Sequence, residues 1–93
     1  MSNNFVRENK IPEKTEEDEQ IELIKAIIET RKQLELANKN FECADGDLID
    51  YYTYEIKANR SKLDYLVKKA KSRSITIDMV NELKIRLDED KVV

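Results

Sequence analysis

The hydrophobic positions between Ile49 and Ala70 form two separate stripes along one predicted helix. In the first stripe, residues recur in alternating steps of three and four, which is the heptad spacing of a helix that packs along a neighbouring helix. Its members are Ile49, Tyr52, Ile56, Asn59, Leu63, Leu66 and Ala70. The second stripe lies roughly 140° around the helix. Its members are Tyr51, Tyr54, Ala58 and Tyr65. One neighbouring helix covers only one stripe, so the second stripe needs a cover of its own.

A matching stripe earlier in the chain predicts the first helix. Its members, again in heptad steps, are Leu23, Ile27, Thr30, Leu34, Ala37 and Phe41. Three further isoleucines, at positions 21, 24 and 28, widen the apolar face near the start of this helix. Thr15 is the predicted N-cap, because Asp18 three residues later completes a capping box. Residues 1–14 lack periodicity and are predicted to form a disordered tail, which leaves residues 15–93 as a single helical domain.

The segment between the two helices predicts a tight turn. Gly46 is the only glycine in the chain and is expected just past the end of the first helix, in the left-handed conformation. Asp47 is then expected to cap the second helix, with Asp50 in its first turn. A connection this short makes the two helices antiparallel neighbours. In that arrangement the polar seam residue Asn59 is expected to meet either Thr30 or Asn38 of the first helix.

A third, shorter helix is predicted after a break at residues 72–74. Thr76 is its expected N-cap, and Ile75 and Val80 are spaced as a hydrophobic staple. Folded back, this helix would cover Ile24, Ile28 and Val67. The predicted fold is therefore all-α: an antiparallel αα-hairpin, at about 15–44 and 47–71, with a short C-terminal helix at about 76–89 packed on its open end.

The amino-acid composition and net charge argue against several classes of function. The chain of 93 residues has one glycine, one proline and 40% charged residues, which is typical of long helices. It has no histidine, and a net charge of −3 argues against a general polyanion binder. No apolar run is long enough to span a membrane, and one cysteine indicates a cytoplasmic protein.

The candidate chemical groups do not assemble a predicted active site. Cys43 has no histidine to activate it and is expected to be a buried or half-buried thiol. Asp45, Asp47 and Asp50 do not fit the spacing of a calcium loop and are better explained by helix capping. A phosphate-binding loop is excluded by the single glycine. We therefore expect no enzyme, no metal, no cofactor and no small-molecule substrate.

The residues around the turn resemble the YaaL-like family, whose members are small bacterial proteins of uncharacterised function. The resemblance spans roughly residues 20–71. It rests on Phe41-Glu42, the run Asp45-Gly46-Asp47-Leu48-Ile49-Asp50-Tyr51, Tyr54-Glu55, Ala58, Leu63, Tyr65-Leu66 and Ala70-Lys71. The tail before Thr15 and the segment after Ser72 look like additions to this family core. The resemblance implies a soluble cytoplasmic helical protein and supplies no reaction.

The tyrosine stripe is the main candidate for function. Tyr51, Tyr54, Ala58 and Tyr65 are the expected contact residues of an adaptor or regulatory protein that works by helix–helix contact, because tyrosines are enriched at interfaces. The partner is another protein or a second copy, and two copies would form an antiparallel four-helix dimer. Two structural explanations stay open. The third helix or the tail, through Phe5 and Val6, covers the stripe, or the tyrosines are simply exposed.

An accessory role in nucleic-acid metabolism is the alternative hypothesis. Residues 57–73 carry seven basic side chains against Asp64 alone. Lys57, Arg60, Lys68 and Lys71 share one flank of the seam, where they could contact phosphates, and Tyr65 is close enough to stack on a base. The competing explanation is that these cations pair with acids of the first helix or are simply solvated.

Overall fold

The fold is all-α, as the hydrophobic pattern predicts. The computed structural model describes residues 15–91, which form three α-helices: α1 (Glu16–Glu42), α2 (Asp47–Ser72) and α3 (Ile77–Lys91). Helices α1 and α2 form an antiparallel hairpin, and α3 packs on α1 at the open end of the hairpin, where α1 begins and α2 ends. The predicted disordered tail, residues 1–14, lies outside the described residues.

The start of α1 is fixed by the predicted capping box. The backbone N–H of Asp18 donates to Oγ1 of Thr15 over 3.0 Å, and the N–H of Thr15 donates to Oδ2 of Asp18 over 3.3 Å. Four acidic residues follow in the first turn, where the helix dipole favours negative charge. These interactions are local in sequence, so the N-cap could be placed correctly without any tertiary information.

The turn at the tip of the hairpin differs in detail from the prediction. Cys43 ends α1, and Gly46 is the N-cap of α2 with φ 56° and ψ −135°, so it does not cap α1. Asp47 is the first residue of α2 and not its cap, and α2 starts without a side-chain cap. The physical reason is that the four-residue connection places its one positive-φ residue against α2. From there the carbonyl of Gly46 accepts from the N–H of Ile49 over 3.2 Å.

The hydrophobic core lies at the open end. Ile27 is 2% exposed, and Ile24 and Ile28 are buried next to it, as expected for a face covered by α3. Val67, the third residue that α3 was expected to cover, is only half-buried. The other buried members of this core are Leu23, Leu66, Ala70, Ile75 and Val80. The third helix packs mainly on α1, and its Val80 belongs to the same buried cluster as Leu66 and Ala70 of α2.

Towards the tip the seam between α1 and α2 becomes thin. Ala37 is buried, but Phe41 and Ile49, both predicted seam residues, are 40% and 41% exposed. Leu36 and Leu48 are more exposed still. The tip is therefore held by a narrow contact between two helices, whereas the open end is held by three.

The polar seam residues do not bond across the hairpin, and that expectation was wrong. Nδ2 of Asn59 donates to the carbonyl of Glu55 over 2.9 Å. Thr30 donates to the carbonyl of Ala26 over 2.7 Å, and Asn38 is bonded in the same way within α1. Each side chain donates to the backbone carbonyl four residues earlier in its own helix, so it needs no hydrogen-bond partner on the other helix.

The C-terminus of α2 is closed by a Schellman motif. Ser74 has φ 61°, its N–H donates to the carbonyl of Lys71 over 3.1 Å, and the N–H of Ile75 donates to the carbonyl of Ala70 over 3.0 Å. Ile75 and Ala70 are both buried, which supplies the hydrophobic contact of this motif. Thr76 then caps α3 as predicted, because its Oγ1 accepts from the N–H of Met79 over 3.2 Å.

Ser74 occupies a left-handed position that favours glycine, and this generates a stability prediction. Ser74→Gly should stabilise the fold by about 0.5–1 kcal/mol, because glycine adopts this conformation without the steric cost of a Cβ. Urea unfolding monitored by circular dichroism measures the change. The matched control is Ser72→Gly, at the last residue of α2, which should not stabilise the fold because glycine has no steric advantage in a helical conformation. A Ser74→Gly variant that is less stable than the natural chain would contradict the assigned geometry.

Candidate partner-binding surface

All four residues of the predicted tyrosine stripe lie on the side of α2 that faces away from α1. We call this side the outer face. Tyr51, Tyr54 and Tyr65 are 52%, 68% and 62% exposed, and Ala58 is exposed between them. The structure therefore brings the predicted contact residues together on one open surface. Neither α1 nor α3 covers it, which rules out the explanation that the third helix buries the tyrosines.

The stripe on the outer face is longer than the tyrosines alone indicate. Ser61 and Lys68 are exposed and continue the alternating steps of three and four that link Tyr51 to Tyr65. The full set, called the outer stripe below, is Tyr51, Tyr54, Ala58, Ser61, Tyr65 and Lys68. A search for apolar residues misses the two additions because serine and lysine are polar. Their spacing is the signal that could have found them.

Tyr51 is held in place at the tip end of the outer stripe. Its ring lies edge-on against Tyr52, with centroids 4.9 Å apart and an interplanar angle of 74°. Its hydroxyl donates to Oε2 of Glu55 over 3.3 Å. The negative charge of Glu55 and this hydrogen bond raise the pKa of Tyr51 above its ordinary value of 10.0. The hydroxyl is protonated at neutral pH and donates to Glu55.

Tyr65 is held differently, at the other end of the stripe. Nζ of Lys69 lies 5.9 Å from the centroid of its ring, which is a cation–π contact worth about 0.5–1 kcal/mol at an exposed site. The ammonium lies over one side of the ring. The rest of the ring is exposed.

Charged side chains border the outer stripe on both sides. On one side lie Asp50, Lys57, Asp64 and Lys71, and on the other lie Glu55, Lys62 and Lys69. The charge changes along the helix, because the acids Asp47, Asp50 and Glu55 lie near the tip and six of the basic residues follow. The outer face therefore has an acidic end and a basic end.

The residues of the nucleic-acid hypothesis are exposed, and none of them is paired with a carboxylate within the described part of the chain. Lys57, Arg60, Lys68 and Lys71 lie on one flank of α2, and among the described side chains none of them forms a salt bridge. The predicted pairing with acids of α1 occurs at Arg73, whose Nη1 lies 2.9 Å from Oε1 of Glu19. That pair connects the two helices at the open end.

The other candidate chemical groups stay dispersed. Cys43 is a free and exposed thiol, not the buried or half-buried one expected from its sequence context. Within residues 15–91, no group of three or more histidine, cysteine or acidic side chains is arranged to hold a metal ion. None of the described helices has the length and apolar character needed to cross a bilayer.

Geometry and sequence together define a class: small helical-hairpin proteins with a third helix at the open end. The chain belongs to the family described as "Protein of unknown function (DUF2508)", which matches residues 5–77. No curated protein and no solved structure matches the chain. The match reaches beyond residues 20–71, so the segment from residue 5 and the Schellman turn before α3 belong to the family region and are not additions to it.

Proposed function

We propose that this protein is an interaction module that binds a helix of a protein partner, or of a second copy, along the outer face of α2. The observation that carries the proposal is the outer stripe itself. A heptad stripe with three tyrosines more than half exposed lies on the one side of α2 that no described helix covers. Membership of a family of unknown function is compatible with this role and does not define it.

The chemistry of the outer face supports contact with a helix. Tyrosine gives a large contact area at a low cost in side-chain entropy, and it keeps a hydroxyl available for a hydrogen bond. Tyr51 is positioned by Tyr52 and Glu55, and Tyr65 is positioned by Lys69, so part of the ordering cost is met before binding. Ala58 leaves a gap between the rings that a partner side chain can enter.

The proposal includes four further statements. The protein acts in the cytoplasm, works without a cofactor and is not an enzyme. The absence of histidine from the sequence and the exposure of Cys43 without a described basic partner support the statement that it is not an enzyme. We also propose that the family is the YaaL-like family, since its matched region contains every residue that carries that resemblance.

Site-specific photo-crosslinking in the native cell tests the proposal. A photoreactive phenylalanine analogue replaces Tyr54 in the centre of the tip half of the outer face. The matched control carries the same analogue at Leu36, which is 51% exposed on α1. We expect a protein adduct of one defined mass from position 54, several-fold above the control, because the face is built for a helix. The adduct should disappear when Ala58→Arg closes the gap in the stripe.

The mass of the adduct then identifies the kind of partner. Twice the mass of the chain indicates a second copy, and any other defined mass indicates a different protein. Equal, weak crosslinking from positions 54 and 36 would contradict the proposal, because a docking face should capture more than an ordinary exposed position.

Nucleic-acid binding remains the second candidate, and one observation favours it. Lys57, Arg60, Lys68 and Lys71 lie exposed on one flank without a described carboxylate partner, so they are available to contact phosphates. One feature weighs against it: the acids at the tip end of the face repel a polyanion.

Titration with a short double-stranded DNA over a range of salt concentrations tests the second candidate. If it holds, the logarithm of the affinity falls with the logarithm of salt, and Lys57→Gln/Lys71→Gln reduces that slope by about 1.8 for two lost phosphate contacts. The matched control, Lys25→Gln/Lys32→Gln, removes two exposed charges from α1 and should leave the slope unchanged. No binding at low salt would eliminate this candidate.

A further inference from the structure

We propose that the occupant of the outer face is a second copy of this chain, with the two α2 helices antiparallel and Ala58 of each copy opposite Ser61 of the other. The inference rests on the proposed function and specifies its partner. The occupant, the direction and the register all follow from the residues that the structure places on and beside the outer stripe.

The outer stripe defines the layers of such a dimer. Tyr51, Ala58 and Tyr65 occupy the first heptad position, and Tyr54, Ser61 and Lys68 occupy the fourth. In an antiparallel pair, first-position residues face fourth-position residues of the other helix. With Ala58 opposite Ser61 at the centre, two small side chains let the helices approach closely. Tyr54 then lies opposite Tyr65, and Tyr51 lies opposite Lys68, so rings face rings or a cation.

The first charged row beside the stripe becomes complementary in this register. Its members alternate in sign: Asp50, Lys57, Asp64 and Lys71. Residues of this row meet the same row of the other copy in an antiparallel pair. Lys57 then lies next to Asp64, and Asp50 lies next to Lys71, each contact occurring twice by symmetry.

The second charged row, which consists of Glu55, Lys62 and Lys69, is also complementary in this register. Glu55 of each copy lies next to Lys62 of the other, again twice. Two copies thus form six contacts between opposite charges and none between like charges at these positions. In the single chain, the described acids and bases of the first row form no salt bridges with each other, so their charges are available.

Other arrangements of the same two helices bring like charges together. A shift of one heptad in one direction brings Lys57 of each copy next to Lys71 of the other, and it brings the two Asp64 side chains together. A shift in the opposite direction brings the two Lys57 side chains together and places Asp50 of each copy next to Asp64 of the other. In a parallel pair, Lys57 faces Lys62 and Asp50 faces Glu55. The charge pattern therefore selects one direction and one register, which is how charged flanking positions specify coiled coils.

The surface is accessible and large enough for this role. All six residues of the outer stripe are exposed, so no described helix lies on them. Six tyrosine rings across two copies, each more than half exposed and each about 150–250 Å² in area, supply a large part of the about 1,200 Å² buried by small specific interfaces. The acidic end of each outer face lies against the basic end of the other.

Sedimentation equilibrium of the full chain over a wide concentration range is the first test. We expect a monomer–dimer equilibrium that Ala58→Arg shifts to monomer, while the control Leu36→Ser, on exposed α1 surface, leaves it unchanged. Lys57→Glu and Asp64→Lys should each weaken the dimer about tenfold, because each single change sets like charges together. The double variant Lys57→Glu/Asp64→Lys should restore it. Circular dichroism verifies that each variant keeps its helices.

Disulfide trapping tests the register in a Cys43→Ser background. A mixture of chains carrying Ala58→Cys and Ser61→Cys should form a mixed disulfide dimer under mild oxidation. A mixture carrying Tyr51→Cys and Ser61→Cys, which would meet only after a shift of one heptad, should form several-fold less. Equal trapping in the two mixtures would contradict the register.

The outcomes separate this inference from the proposed function. A chain that stays monomeric at every concentration overturns the dimer, and so does a dimer that is insensitive to both Ala58→Arg and the charge variants. If position 54 still crosslinks to a different protein in the cell, the proposed function stands without the dimer. If position 54 crosslinks to nothing, both fail together.

Discussion

The seam between α1 and α2 is the contact on which the rest of the structure depends. It forms because the chain reverses at Gly46, the one residue that adopts the required positive φ at the tip without steric cost. The reversal brings two heptad stripes together over much of their length. It also fixes which side of α2 stays uncovered, because α1 covers one stripe and leaves the tyrosines on the other side. The candidate site is therefore a direct consequence of the hairpin.

Stability is distributed unevenly along that seam. At the open end, α3 adds a third layer, and Ile24, Ile27 and Ile28 are buried together. At the tip, Phe41 and Ile49 remain about two-fifths exposed, so little apolar surface holds the two helices together. Local opening should start from the tip, where buried contacts are few. The acidic, tyrosine-bearing half of the outer face belongs to this less stable end, and contact with a partner helix would stabilise it.

Much of the fold could be predicted because its determinants are local or periodic. The capping box at Thr15 and the N-cap at Thr76 need only the next three residues, and the heptad steps identify both helices of the hairpin. The details that failed depend on competing geometry. Asn59 was expected to bond across the seam, but the carbonyl of Glu55 lies closer. Ser74 adopts a left-handed conformation that its residue type does not favour, because the Schellman hydrogen bonds and the burial of Ile75 require it.

Part of the candidate site could also be predicted, because its tyrosines recur at a regular spacing. The tyrosines are recognisable by their spacing and residue type, and their exposure follows once α1 is assigned to the other stripe. Ser61 and Lys68 are polar, so only their position on the helix connects them to the stripe. The alternating charges beside the stripe acquire a meaning only when the outer face is known to be open. Sequence pattern therefore locates the surface, and the structure shows which of its polar residues belong to it.

The most direct test of the account is the distance between the start of α1 and the end of α2, which lie side by side only if the chain forms a hairpin. Spin labels at Gln20→Cys and Ser72→Cys, in a Cys43→Ser chain diluted with unlabelled protein, report this distance by pulsed electron resonance. Both residues line one groove at the open end, so the account predicts a distance of about 20 Å or less. A continuous helix through Gly46 would separate the same labels by about 78 Å at 1.5 Å per residue. A distance in that range would contradict the hairpin, and with it the existence of an uncovered outer face.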